Sequence, residues 1–135
     1  MKLSTTAAHA VRALAFLARQ PGGRPVPSHT IATAEGLSGL FLLKVLRPLV
    51  AAGVLLSGRG PNGGYRLARP AQRISLLDVV EAVDGPVRGS VPRWAADGQG
   101  ARLDARLQQA CDAGTEVVRR QLRKVSVADL TGEGG

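Results

Sequence analysis

Ser28-His29-Thr30-Ile31-Ala32-Thr33-Ala34-Glu35-Gly36-Leu37-Ser38-Gly39-Leu40-Phe41-Leu42-Leu43-Lys44-Val45-Leu46-Arg47-Pro48-Leu49-Val50-Ala51-Ala52 is the stretch that decides the fold. Ser28 has the character of a helix N-cap, because a short hydroxyl side chain accepts from the orphan N–H groups of a first turn. Ile31 and Ala32 would face inward on the short helix that follows, and Gly36 would close it as a C-cap. Leu37 is an apolar spacer and Ser38 the next N-cap. A second helix is expected from Gly39 to about Ala52, with Leu42, Val45, Leu46 and Leu49 recurring as one buried stripe and Gly53 ending it. Two short helices joined by a turn containing Gly form a helix-turn-helix. Pro48 interrupts the pattern at a cost of about 3 kcal/mol, so a kink is expected there, with the two N-terminal turns left straight.

Working outward, Ser4 caps an expected helix through about Arg19, with Ala7, Val11, Leu14 and Ala18 on one face and His9, Arg12, Phe16 and Arg19 on the other. Phe16 is unusual for a solvated face and marks a second packing surface. Pro21-Gly22-Gly23 ends that helix. Beyond Gly53 the period changes. Val54–Ser57 and Tyr65–Leu67 are strand-like and flank Gly58-Arg59-Gly60-Pro61-Asn62-Gly63-Gly64, a hairpin signal. A further helix is expected from Ile74 to Val83, capped by Ser75, with Leu76, Val79, Val80 and Val83 inward. Val87 to Gln99 is irregular, and a long helix runs from about Ala101 to Val125. On it Leu103, Leu107, Ala110, Gly114 and Val117 alternate at four- and three-residue spacings, a heptad-like seam. Pairing of two copies along that seam is the economical reading, and packing within one chain is the alternative.

The expected architecture is therefore mostly α: a winged helix-turn-helix unit over residues 1–85, an irregular connector over 86–100, a dimerisation helix over 101–130 and a disordered tail over 131–135. The 135 residues include 44% hydrophobic and only 3% aromatic side chains, so the core must be built from Ala, Val and Leu. No apolar run reaches the length of a membrane span, and the N-terminus carries no small-residue cleavage site after an apolar block. A cytoplasmic location with no membrane partner is expected. The formal net charge is +8, and it is unevenly placed. Residues 1–75 hold ten Lys or Arg against one acid, Glu35, a net of +9; residues 76–135 hold eight against nine, a net of −1. An Arg-rich composition by itself would spread the excess evenly. A basic module beside a neutral one points instead to a polyanion partner.

In a winged helix-turn-helix the second helix of the turn lays its N-terminal side chains against base edges of the major groove of double-stranded DNA. Leu40, Phe41, Leu43, Lys44 and Arg47 lie off or at the margin of the buried stripe. Lys44 and Arg47 can reach guanine acceptors or phosphate, and Leu40 or Leu43 a thymine methyl. Phe41 is as well explained by core packing. Arg59, between two glycines, can probe a minor groove or contact phosphate. His29, just after Ser28, can approach phosphate. Ser38, Asn62, Gly63 and Tyr65 complete the candidate contact set.

Lys2-Leu3-Ser4-Thr5, Arg59-Gly60-Pro61-Asn62-Gly63-Gly64-Tyr65-Arg66-Leu67, Ile74-Ser75-Leu76-Leu77-Asp78-Val79-Val80 and Val125-Ser126-Val127-Ala128-Asp129-Leu130 together resemble the IscR/NsrR type of winged-helix regulators, the Rrf-two family. The resemblance spans nearly the whole chain. It implies a homodimeric bacterial transcription factor, usually a repressor, on a pseudo-palindromic operator. By position it assigns base reading to the helix after Ser38 and the minor groove to Arg59. Many members hold an iron–sulfur cluster on three cysteines ahead of the long helix. Here Val87 to Leu107 contains none, and the single cysteine, Cys111, lies past that segment within the helix. No cofactor is expected, since such a cluster needs about four protein ligands.

Two sensor candidates remain. Cys111 is either a redox thiol or a packed helix residue, and neighbours Ala110 and Asp112 do nothing to activate it. Trp94 either lines a pocket for an unknown small-molecule effector or anchors a loop. His9 and His29 match no metal spacing. Enzyme motifs are absent: no nucleophile elbow, P-loop or HExxH occurs, and the glycine-rich segment lies between strands rather than opening a helix. The competing class is a protein-interaction module that docks a partner on Leu40-Phe41-Leu42-Leu43. Non-specific nucleic-acid compaction is a third.

Overall fold

Residues 1–92 and 97–132 are described by a computed structural model of the chain. Helix α1 (Thr5–Ala18) starts where Ser4 Oγ accepts the Ala7 N–H at 3.0 Å, and the same hydroxyl donates to Asp84 at 2.7 Å. Its buried face is Ala7, Ala10, Ala13, Leu14 and Leu17. Phe16, on the other side, is half-buried against the same core.

Helix α2 (Ser28–Glu35) differs in its start from the sequence expectation. Its N-cap is Pro27, and Ser28 makes no capping hydrogen bond. The cause lies one residue upstream: Val26 is fixed by a two-way main-chain bridge to Tyr65, at 2.9 and 2.8 Å, so the chain turns into the helix immediately after it. The Pro27 carbonyl then accepts from Thr30 and Ile31. Gly36 ends α2 in the left-handed region at φ 66, and the Leu37 N–H reaches back to the Ala32 carbonyl at 2.9 Å, a Schellman-type closure. Helix α3 (Gly39–Ala51) follows at once, with Ser38 Oγ accepting the Phe41 N–H at 3.1 Å. Leu42, Val45, Leu46 and Leu49 are all fully buried. Despite Pro48, α3 continues without a break to Ala51; the missing N–H leaves only the Lys44 carbonyl without its usual donor.

Strands β1 (Leu55–Gly58) and β2 (Gly64–Leu67) pair antiparallel, with Leu55 opposite Leu67 and Gly58 opposite Gly64. Helix α4 (Leu76–Asp84) opens with a capping box between Ser75 and Asp78. Leu77, Val79 and Val80 are its buried residues, while Leu76 and Val83 are only half-buried. Leu76 sits where the C-terminal segment crosses, its N–H donating to the Val125 carbonyl at 2.7 Å.

The long helix α5 (Gly98–Arg123) begins inside the expected connector and ends two residues early. The chain then returns to the first unit: Ser75 and Ser126 form a bridge, and Val127 donates to the Ile74 carbonyl at 2.8 Å. A short helix, α6 (Val127–Leu130), has its own capping box and buries Val127 completely. The expected dimerisation helix over 101–130 is thus a helix plus a docking segment. Thr131, placed in the expected disordered tail, is tied by its N–H to Val127 and Ala128 and accepts from Arg19; residues 133–135 lie outside the described residues.

The core joins α1, α2, α3, α4, the wing base and Val127 in one cluster of aliphatic side chains. Truncating its centre leaves a cavity, so Leu46→Ala is expected to lower stability by about 2–5 kcal/mol in denaturant unfolding.

Candidate nucleic-acid interface

Because one face of α3 is buried, the 3.6-residue period turns Leu40, Lys44 and Arg47 outward on consecutive turns. All three are exposed, Leu40 to 79%. Leu43 lies at the margin, half-buried. Phe41 belongs to the scaffold: it packs on the core and meets the His9 ring edge-on at a centroid distance of 5.5 Å, joining α3 to α1. The Ser38 hydroxyl is exposed at the start of the same helix but serves as its cap. On α2, His29 is exposed and Ser28 half-buried, beside exposed Thr30 and Thr33; Thr33 Oγ1 donates back to the His29 carbonyl at 2.8 Å.

The wing projects a tight turn in which the Gly63 N–H donates to the Gly60 carbonyl at 2.9 Å, placing Pro61 and Asn62 at its centre. Arg59 and Asn62 are exposed at this tip. Gly63 and Gly64 serve the backbone. A Cβ at Gly63 would fall 2.6 Å from the Gly58 oxygen, and one at Gly64, with φ 146, would fall 2.4 Å from the Val26 oxygen. Tyr65 is half-buried against the core and bonded through its main chain to Val26, so its position is that of a wing anchor.

Charge follows the same division. Glu35, the one acid of the first 75 residues, lies 4.0 Å from Arg12, and Arg69 pairs with Asp78 at 3.3 Å. Among the described residues, Lys44, Arg47 and Arg59 have no carboxylate partner. Cations without internal partners, on a helix and a hairpin projecting from one rigid unit, are free to neutralise phosphates.

The second half behaves differently. None of the residues of α5 is buried; Leu103 is 59%, Leu107 45% and Val117 58% exposed, with Ala110 and Gly114 exposed between them. The opposite side of α5 is held to α4 by Arg119, which donates to Glu81 and pairs with Glu116 at 3.5 Å. Cys111 is exposed, and Gly89 of the connector passes so close that a Cβ there would lie 2.7 Å from the Cys111 Cβ. Trp94 lies outside the described residues. No helix among the described residues is long and apolar enough to cross a membrane.

A helix-turn-helix backed by a third helix and followed by a β-hairpin defines a winged-helix protein of the kind that regulates transcription. Residues 3–133 match the Rrf2 family, described as iron-dependent transcriptional regulators, and the chain belongs to that family, the Rrf-two family of the resemblance drawn from the wing motif. Rv1287 of Mycobacterium tuberculosis, named as an HTH-type transcriptional regulator, is 40% identical over 87 residues, which are 64% of this chain and 54% of that protein. Protein aau3 of Rhizobium meliloti is 44% identical over 84 residues, 62% of this chain and 54% of its own length. The chain therefore matches about half the length of these relatives. Among solved structures, CymR, the global cysteine regulator of B. subtilis, superposes with a TM-score of 0.74 at 26% identity over 98% of each chain. IscR of T. potens gives a TM-score of 0.71 at 25% identity over 100% of this chain and 89% of its own.

The contrast between wing-building and wing-tip residues is measurable. Gly64→Ala is expected to lower stability by about 2 kcal/mol or more, because strain and a backbone clash coincide. Arg59→Ala should change it by no more than about 0.5 kcal/mol, as a solvent-exposed side chain without a partner.

Proposed function

We propose that the chain is a sequence-specific DNA-binding regulator, acting as a repressor and as a homodimer on a pseudo-palindromic operator in the cytoplasm. The observation that carries this reading is the outward stripe Leu40, Lys44 and Arg47 on α3 together with Arg59 at the wing tip, all exposed and, among the described residues, free of internal ion pairs. In this reading α3 enters the major groove. Lys44 and Arg47 donate to guanine acceptors or phosphates, Leu40 meets a thymine methyl, and Leu43 supports it from the helix margin. Arg59 enters the flanking minor groove with Asn62 beside it, while Ser28 and His29 at the start of α2, and Ser38, approach the phosphate backbone.

The dimer reading rests on α5. A long helix without a single fully buried residue draws little apolar stabilisation from its own chain, and isolated helices are marginal in water. Its exposed apolar residues follow the four–three spacing of a two-helix seam, with Ala110 and Gly114 allowing close approach. A second copy brings the same stripe and sets the distance between two reading helices, which a two-fold operator then mirrors.

The family description implies iron, and the donor set of this chain does not fit a cluster. Cys111 is the sole cysteine, and among the described residues no group of three or more His, Cys, Asp or Glu side chains is arranged to hold a metal ion. We infer a regulator that works without an iron–sulfur cluster, and no step of its action is routed through one.

Footprinting of the DNA upstream of the chain's own coding sequence tests the reading. A protected, two-fold symmetric site is expected, with affinity falling steeply as salt rises. Lys44→Ala should relax base preference at one position per half-site by about 1–3 kcal/mol. Arg59→Ala should weaken binding and flatten the preference for A·T flanks. Full affinity in Arg59→Ala would contradict the assignment, as would binding without any protected site, which would favour non-specific compaction; absence of DNA binding altogether would favour a protein-docking role for the Leu-rich helix. For the dimer, Leu107→Glu is expected to give monomers in sedimentation equilibrium while leaving the winged unit folded by circular dichroism.

A further inference from the structure

We propose that the cleft between the end of α1, the loop leading to α2, strand β2 and the returning C-terminus binds a phosphate group. The cleft encloses about 790 Å³, and no residue of α2 or α3 lines it, so it is separate from the reading helix. Three arginines, Arg24, Arg66 and Arg69, line it together with Gln20 and Gln72, against one acidic residue, Asp129. That carboxylate is already engaged, accepting the Ser126 N–H at 2.9 Å in the capping box of α6.

The three arginines are presented in a way that suits an anion. Arg66 lies on β2 between Tyr65 and Leu67, which pack on the core, so strand alternation directs it to the other face. Arg24 stands two residues before Val26, whose two-way bridge to Tyr65 holds the loop against the same strand. Neither Arg24 nor Arg66 has a side-chain hydrogen bond or ion pair among the described residues. Arg69 is anchored, but only through Nη1, which donates to the Arg73 carbonyl at 3.0 Å and to Asp78 at 3.3 Å. Its Nε and Nη2 have no protein acceptor among the described residues. Like charges gathered in a concave wall raise the local potential, and the planar fork of a guanidinium matches two phosphate oxygens at once.

A phosphate group reaches this cleft either on a free small molecule or on the DNA backbone flanking the wing, and one experiment separates the two. The full chain, labelled with nitrogen-15, is titrated with inorganic phosphate at constant ionic strength while the arginine Nε–Hε resonances are followed. The double variant R24Q/R66Q is treated alike, and duplex binding by both proteins is measured across a salt series. The parent is expected to show saturable shifts, and the variant about tenfold weaker saturation or worse. If the DNA backbone is the source, the variant's slope of log affinity against log salt falls by about one per lost contact; if a free ligand is the source, the slope is unchanged and only the phosphate titration responds. Absence of saturable shifts in the parent overturns the proposal, whatever the salt slope. The phosphate titration needs no operator, so it decides the matter even if specific DNA binding fails.

Discussion

Leu42, Val45, Leu46 and Leu49 occupy one face of α3, and all four are withdrawn from solvent completely. That face packs against α1, α2, α4 and the first wing strand, so it is the point where the elements of the unit meet. Burial of each such side chain contributes about 1.5–3 kcal/mol, and together they leave the helix no freedom to roll about its axis. The exposure of Leu40, Lys44 and Arg47 is the geometric consequence. A helix locked by its inner stripe must present the residues four and seven positions along from its first turn to the outside.

The wing is placed by the same economy. Val26 and Tyr65 exchange two main-chain hydrogen bonds, and this exchange requires that residue 64 have no side chain. One bridge therefore fixes the entry to α2 and the base of the hairpin. The tip, with Arg59, extends from a rigid unit and not from a free loop. The excess positive charge of the first 75 residues divides accordingly: Arg12 and Arg69 are drawn into internal pairs, while Lys44, Arg47 and Arg59 stay free where the proposed DNA would lie.

Much of this arrangement is legible in the residues themselves. The spacing of the α3 stripe, the glycine at position 36, the Ser38 cap and the glycine-rich hairpin are local signals, each with a local physical cause. What the sequence hid depends on partners distant along the chain. The Ser28 cap fails because Tyr65, far downstream, fixes Val26. Leu76 meets the chain returning from α5 through its main-chain N–H, and the docking of Val127 into the first unit leaves no periodic trace in a four-residue helix. Tyr65 and Gly63 read as contact residues in the wing motif, and the structure adds anchoring and turn-forming places that the motif alone does not reveal. Arg24 and Arg66 were invisible as a pair because forty-odd residues separate them; only the strand register and the loop before α2 bring them to one cleft.

In the proposed function, two copies of one α3-and-wing unit, joined through α5, read a specific two-fold DNA sequence. Selection of bound duplexes from a random pool by the 135-residue chain, followed by sequencing, tests this without assuming a target gene. Enrichment is expected of an inverted repeat whose half-sites are centred about one helical turn, or a multiple of it, apart. Enrichment of no sequence over the starting pool, or of single half-sites without symmetry, would contradict it.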